Sequence, residues 1–600
     1  MATETNIQQF VHKLEEGGWV KRVKFAVIVS AILFNINLWF FRDAGFRGLN
    51  HEKSIEQAQI SREINRGNGF TTKMIRPAAL WLFEKNMGRF PDAAQPDIFH
   101  APLNPYINAG VFRVADTFND FLKKQSLQRP GLVPLTYDKV MTTKELIYTY
   151  DKFIAAVQVL FFLLAVLVVY STARRLFDDT LAAFVACLLL ICERFWEFSM
   201  SGLPQMLMLF LFSLAVYCLV RAIENQEALT SPTAWLSTAA VCFALLALTH
   251  GISIWIFLGA LVFCAFFFRP LGIHVAIMLA IFVAIYSPWL LRNYLVCGSP
   301  QGLGWYSGLH ILRGTEASLM RGLEVSLSDL SPLTFRSKVQ SQTIEQMGSI
   351  YQFLGQSLLA PAFFIALLHL FKRPVTSHFR WAILSMWLFA VLGMSVFGLA
   401  DRHGLQANDL HVLFIPMMVS YGLAFVLVMW SRLEINIRLV RLAFLTSLFV
   451  LSSLPFIDNF LQMMRGPGIR VQWPPYVPPY IAIMNTWTKE NEVIATDMPW
   501  AVAWYADRKS LWLPKTIQDF ITLNDYKSLK GSIIGLYLTP VSGDRAFLSD
   551  IVKGEYSEWA PFILRNVTAR EFPLKVSTVM PIDNECIFYA DRDRWTVRED

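Results

Sequence analysis

"NHEKSIEQAQISREINRGNGFTTKMIRP", from Asn50 to Pro77, is the most polar part of the first hundred residues, and it follows closely on the apolar run "FAVIVSAILFNINLWFF" from Phe25 to Phe41. Ser54 and Gln57 form an "SIEQ" capping box, which starts a helix. That helix is expected to run to about Asn65, where Gly67 and Gly69 stop it. Ile55, Ala58 and Ile64 fall on or near one face, while Glu56, Arg62 and Glu63 mostly lie elsewhere. The pattern predicts an amphipathic helix lying at a membrane interface. Its charges either solvate that helix or carry chemistry, and the rest of the chain has to decide.

The sequence has 600 residues, 54% hydrophobic and 16% charged, where a soluble domain runs near ~25% charged. It therefore reads as a membrane protein. Eleven apolar runs suit membrane spans, at about 25–41, 150–170, 179–194, 204–222, 234–249, 251–268, 272–291, 351–371, 381–399, 410–430 and 438–456. The first follows Lys13, Lys21, Arg22 and Lys24 and precedes no small-residue cleavage site, so it is read as a retained span. With the N-terminus cytoplasmic, the inner ends collect Arg174, Arg175, Arg221, Arg269, Lys372, Arg373, Arg380, Arg432, Arg438 and Arg441, as the positive-inside rule requires. The outer face then receives two long loops, about 42–149 and 292–350, and everything beyond about 457. The +7 net charge reports this asymmetry. No basic patch with interleaved aromatics suggests a nucleic-acid partner.

Residues 1–456 are thus read as a transmembrane domain, 457–480, with "QWPPYVPPY", as a stiff Pro-rich connector, and 481–600 as a small extracytoplasmic α/β domain. In that last part "NEVIATDMPWAVAWYADRKSLWLP" reads as strand, loop, short helix, strand, and "SIIGLYLTP" as a buried strand. No Gly-rich phosphate loop introduces either. Cys187, Cys192, Cys218, Cys242 and Cys264 lie in apolar runs as packing residues, whereas Cys297 and Cys586 share the outer side, where a disulfide between them is one option.

Other reactive side chains fall on that same face. "FHAPLNPY" (Phe99 to Tyr106) holds His100 in a Pro-bounded turn. "SPWLLRNYLVCGSP" (Ser287 to Pro300) puts Arg292 at the outer end of a span, either anchoring to headgroups or gripping an anion. "LADRHGLQANDLH" (Leu399 to His411) packs Asp401, Arg402, His403, Asp409 and His411 between two spans.

At these residues the chain resembles the GT-C superfamily of polytopic glycosyltransferases, in its protein-mannosyltransferase-like, polyprenyl-phosphate-sugar-dependent branch. "EQAQISREINRGNGFTTKMIRP" is similar to the first-loop signature "AxIARxIxxGxGFTT", "HAPLNPY" to "PPLYP", and "YSTARRLFDD" to the inner turn after the second span. "SGLPQMLMLFLFSLAVY" resembles the fourth span, where members commonly carry Glu in place of Gln205. "SPWLLRNYLVCGSP" is close to "PWxxRNxxxxGxP", the most specific match.

The resemblance implies a GT-C-type helical membrane domain that moves a sugar, with inversion, from a polyprenyl-phosphate carrier (dolichyl or undecaprenyl type) to an acceptor hydroxyl on the extracytoplasmic face. The acceptor is a protein, a glycolipid or a polysaccharide, and the setting is a bacterial or archaeal plasma or inner membrane. One carboxylate takes the acceptor proton, and cationic groups stabilise the leaving phosphate. The family's Asp-Glu pair aligns on Lys53 and Ser54, so the base falls to Glu56 or Glu52, with Glu56 favoured because "EQAQISR" needs no gap. Arg292, then Arg76 and His100, are expected at the donor phosphate. Arg62 is a further phosphate candidate or the holder of a carboxylate, and His403, Arg402, Asn293 and Gln205 are candidates for the substrate site. No cofactor is implied, and no DxD-type cluster indicates a divalent cation. The competing readings are an oligosaccharide ligase or polymerase using Arg313, Arg321, Arg336 and His310 of the second loop, a noncatalytic member, or a transporter.

Overall fold

The computed structural model describes residues 46, 48–91, 95–126, 138–309, 312, 315–325, 331–399, 404–433, 437–464, 478–525, 528–543, 548–565, 572–579 and 586–595. The expected first span, Arg402 and His403 lie outside the described residues, as does most of the Pro-rich connector.

Among the described residues, five helices are long and apolar enough to cross a membrane: Thr149–Leu176, Gln205–Glu227, Ile273–Cys297, Pro374–Phe397 and His411–Ser431. Each exceeds the roughly 20 residues that ~30 Å of hydrocarbon demands. Asp179–Leu190, Thr233–Thr249, Gly251–Phe267 and Ala443–Asp458 are shorter apolar helices. The run read as one span at 351–371 is broken instead. It contains a turn at Ile350–Phe353 and the 8-residue helix Leu359–Ala366, only about 12 Å long. Gly355 and Gln356 between them take positive φ, which ends a right-handed helix.

Small residues let the helices pack backbone to backbone. A Cβ on Gly422 would meet the Leu359 carbonyl oxygen at 1.9 Å, so Leu359–Ala366 lies directly on His411–Ser431. A Cβ on Gly259 would similarly come 2.6 Å from Met386 Cα.

The first outer loop supplies the helices Glu52–Asn65, Pro77–Met87 and Leu103–Ser126 and the short strands β1 (Thr71–Thr72), β2 (Met74–Ile75) and β3 (Gln95–Pro96). After residue 478 follow β4 (Val493–Thr496), β5 (Lys509–Trp512), β6 (Ile533–Leu538), β7 (Val576–Val579) and β8 (Ile587–Ala590). One sheet has the order β2-β5-β4-β6-β8-β7, in which β2, β5, β4 and β6 are parallel and β8 pairs antiparallel with both β6 and β7. β4 and β6 are buried at every position, as the covered centre of a parallel sheet should be. The edge strand β2 comes from the first loop, pairing Met74 with Ser510 and Ile75 with Leu511. The first loop is therefore built into the C-terminal sheet.

Two expectations need correction. The helix Glu52–Asn65 is capped by His51 rather than Ser54 and is buried from Ser54 to Glu63, so it is not an interfacial helix. Its polar side chains find protein partners. Gln57 Oε1 accepts from Asn104, Gln59 Oε1 accepts from Thr72, and Arg62 donates to the carbonyls of Ala503 and Trp504. Neither Cys297 nor Cys586 is in a disulfide, and Cys297 Sγ bonds the Asn293 carbonyl.

Candidate active site

Glu56 lies in the second turn of the buried helix, and two cationic groups converge on one of its oxygens. Arg76 Nη2 donates to Oε2 at 2.6 Å, and His100 Nε2 lies 2.9 Å from the same atom. Asp97 closes the set. Its Oδ1 is 3.6 Å from Arg76 Nη1, and its Oδ2 is 3.4 Å from His100 Nδ1 and accepts the His100 backbone N–H at 2.8 Å. The Arg76 guanidinium also lies over the Phe99 ring, 4.5 Å from its centroid. All four side chains are at most 5% exposed.

Local sequence explains the assembly. Arg76 follows β2 and precedes Pro77, which opens the next helix. Asp97 and His100 flank the turn of "DIFHAPLNPY", where an acidic side chain three residues before a His can bond its backbone. At Glu56, Asp97 and His100 burial disfavours charge, but alternation of sign outweighs it. Burial raises Asp97 while His100 and Arg76 more than compensate, holding it down to about 2. Arg76 and His100 likewise overcome burial at Glu56 and lower it, and Asp97 and Glu56 overcome burial at His100 and raise it.

Glu52, one turn earlier, is left in a different state. Burial, followed by repulsion from Glu56, pushes its carboxyl up to about 7. Lys53 beside it is turned onto Glu316 of the second outer loop, Nζ to Oε2 2.9 Å. His51 and His250 flank the group. Burial and then the Lys53 charge lower each to about 4, so both imidazoles stay neutral at pH 7. The site thus holds one carboxylate locked in its charged form and one poised to exchange a proton near neutrality.

The remaining predicted residues are dispersed around this centre. Arg292 Nη1 donates to the Asp97 carbonyl at 2.6 Å and to Asn293 Oδ1 at 2.9 Å, and Nη2 donates to the Phe70 carbonyl at 3.1 Å. The half-buried guanidinium lies over the Trp289 and Phe70 rings. It braces the turn that carries Asp97 and His100. Arg62 points the other way, to Ala503 and Trp504 carbonyls and to Asp507 Oδ1 at 3.0 Å, where Arg66 and Lys73 join it. It holds a carboxylate rather than facing the Glu56 centre. Gln205 Nε2 donates to the Ala407 carbonyl at 2.7 Å, while its buried Oε1 has no hydrogen-bond partner.

Reading the sequence did not single out Asp97, Lys53 or Glu316. Asp97 was findable from its spacing to His100. Glu316 carries no such signal, because its partner is 263 residues away.

No protein-family model and no curated protein matches the sequence. Solved structures do match in fold. The crystal structure of ArnT from Cupriavidus metallidurans in the apo state aligns over 96% of this chain and 98% of its own, with a TM-score of 0.51 and 12% identity. ArnT bound to undecaprenyl phosphate gives the same values. The oligosaccharyltransferase AglB from Archaeoglobus fulgidus, in complex with an inhibitory peptide and a dolichol-phosphate, aligns over 97% of this chain and 76% of its own, with a TM-score of 0.51 and 13% identity. At such identity the shared property is the path of the chain. The expectation raised by the first-loop and Arg292 motifs is met at that level: this is an integral membrane protein that shares its fold with ArnT and AglB.

Proposed function

We propose that the protein transfers a sugar from a polyprenyl-phosphate carrier to an acceptor hydroxyl at the outer membrane surface, with Glu52 as general base. The observation that carries this reading is the contrast between two carboxylates one helical turn apart: Glu56 is pinned by Arg76 and His100, and Glu52 is raised to about 7. A base works best with a pKa near the operating pH. Glu56, which the "EQAQISR" alignment favours, has its oxygen Oε2 occupied and is better suited to hold the frame.

In the proposed step the acceptor oxygen attacks the anomeric carbon as its proton passes to Glu52. The bond from that carbon to the phosphate oxygen breaks, and polyprenyl phosphate leaves with the electron pair. Attack opposite the leaving group inverts the anomeric centre. Of the expected phosphate ligands, Arg292 is the half-exposed one and is our choice for meeting the leaving phosphate, while Arg76 and His100 act through Glu56. The GT-C fold, in which ArnT has been crystallised with undecaprenyl phosphate, supports the lipid-phosphate donor.

The test is release of polyprenyl phosphate by the purified protein given a polyprenyl-phosphate sugar and an acceptor. Glu52→Gln is expected to lower turnover by about 10²–10⁴-fold, the range for loss of a general base. Full turnover in that variant would refute the assignment. Uptake of a solute into sealed vesicles without lipid-phosphate release would replace the reading with transport.

A further inference from the structure

The second outer loop contains a short helix, Glu316–Met320, followed by Arg321. Arg321 is fully buried and enters the C-terminal sheet domain. Its Nε donates to the Leu513 carbonyl at 2.7 Å, Nη2 to the Pro514 carbonyl at 3.2 Å and Nη1 to the Glu555 carbonyl at 3.2 Å, and the guanidinium lies 3.7 Å from the centroid of the Tyr556 ring. Leu513 and Pro514 follow β5, so the grip is at the carboxyl end of the parallel strands. Thr315, which caps the short helix, also hydrogen-bonds the Glu555 carboxylate. Next to Thr315, at the end of the helix opposite Arg321, Glu316 meets Lys53, the chain neighbour of Glu52. An Arg with all these carbonyl partners and a stacked ring is an anchor, since a buried guanidinium stripped of them would be uncompensated.

We infer that Arg321 and Glu316 form a strut through which the C-terminal domain positions the second outer loop over the site, holding Glu316 against Lys53 and so fixing the charge beside Glu52. Both are positioning residues, and the inference rests on the reading of Glu52 as base. Among the described residues, the charged groups acting on Glu52 are Lys53 and Glu56 on its own helix, Arg76 just after β2 and Glu316 from the second loop, with His51 and His250 facing Lys53 and Glu316. Of these, Glu316 is the one carried by the second outer loop, which Arg321 ties to the C-terminal domain. It neutralises Lys53. Without it the ammonium would stand unopposed next to Glu52 and stabilise its carboxylate; without Lys53, the Glu316 charge would oppose ionisation.

The experiment is the pH dependence of polyprenyl-phosphate release by the full-length protein and its Glu316→Gln, Lys53→Met, Arg321→Ala and Glu52→Gln variants, alongside zero-length carbodiimide crosslinking read as a linked Lys53–Glu316 peptide. The strut predicts that Glu316→Gln moves the acid limb to lower pH and Lys53→Met to higher pH, each by about 1–2 pH units for a charge roughly 6–12 Å away at an effective dielectric near 20. The double variant should return toward wild type. Arg321→Ala should lose the crosslink and follow Glu316→Gln, and if Arg321→Ala does not fold, the Glu316 and Lys53 pair alone decides. Limbs that stay put, or that shift in the same direction for both single variants, overturn the strut, as does a missing crosslink in the wild-type protein. If Glu52→Gln retains turnover and the acid limb, the base assignment fails. If it abolishes turnover while the other limbs do not move, only the strut fails.

Discussion

Exchanging one carboxyl oxygen for an amide at Glu56 and at Glu52 should break two different things. Glu56→Gln leaves Arg76 and His100, both buried, facing each other with Asp97 as their remaining carboxylate. Breaking a buried ion pair by removing one partner costs about 3–5 kcal/mol. Arg76 keeps Asp97 at 3.6 Å and the Phe99 ring, which puts the expected cost near the lower bound, about 3 kcal/mol. Since every 1.4 kcal/mol is a factor of ten, local opening should become about 10²-fold more populated. Hydrogen exchange of the backbone amides in Glu52–Asn65, followed by mass spectrometry in detergent, reads this directly. Glu52→Gln should leave those rates within a few-fold of wild type while turnover collapses, because a neutral amide suits a site that already resists charge. Equal protection loss in both variants, or unchanged exchange in Glu56→Gln, would refute the division into a frame carboxylate and a working one.

Three further outcomes follow from the same structure. The Glu56–Arg76–Asp97–His100 frame should be most stable between about pH 4 and 6.5: lowered Glu56 and Asp97 contribute above the ordinary carboxylate range and lose this as pH falls, while raised His100 contributes fully below 6.5 and loses it as pH rises. A melting curve across pH checks this, and His100→Asn should remove the alkaline decline. Asp507→Asn should loosen the first loop from the C-terminal domain, because burial opposes its charge but Arg62, Arg66 and Lys73 hold its pKa far down. The expected loss is about 2–4 kcal/mol, tempered by the carbonyl bonds Arg62 retains, and is seen as proteolytic cleavage between the two parts. Gly422→Ala should destabilise the helix pair by about 1–3 kcal/mol, since the added carbon would overlap the Leu359 carbonyl, and a lowered melting temperature in detergent reports it.

What could be seen in the sequence depended on how local its physical cause was. Long apolar runs such as that in Thr149–Leu176 announce themselves through residues within one segment. The run at 351–371 misled because Gly355 and Gln356 sit inside an apolar stretch and act through backbone φ, which hydropathy does not register. The helix Glu52–Asn65 was visible as a helix, but its environment was not. Gln59 finds Thr72 13 residues away, whereas Arg62 finds Asp507 445 residues away, and without that second partner the polar face looks like one meant for water. The site divides the same way. Glu56, Arg76 and His100 were legible from their motifs, while the proposed choice of Glu52 over Glu56 rests on which carboxylate the tertiary structure has already paired with cations.

The edge strand Met74–Ile75 bears on how the protein is made. Lys73 meets Asp507 across 434 residues of chain, and a ribosome adding about 5–20 residues per second needs roughly 20–90 s to cover that distance. During this interval the first loop is outside the bilayer with its strand unpaired and Arg62, Arg66 and Lys73 without the carboxylate that gathers them. The pairing of β2 with β5 and the gathering of Arg62, Arg66 and Lys73 around Asp507 therefore come last. An interrupted chain would carry the membrane helices but a first loop without its anchor, so the C-terminal sheet doubles as a proof that synthesis has finished.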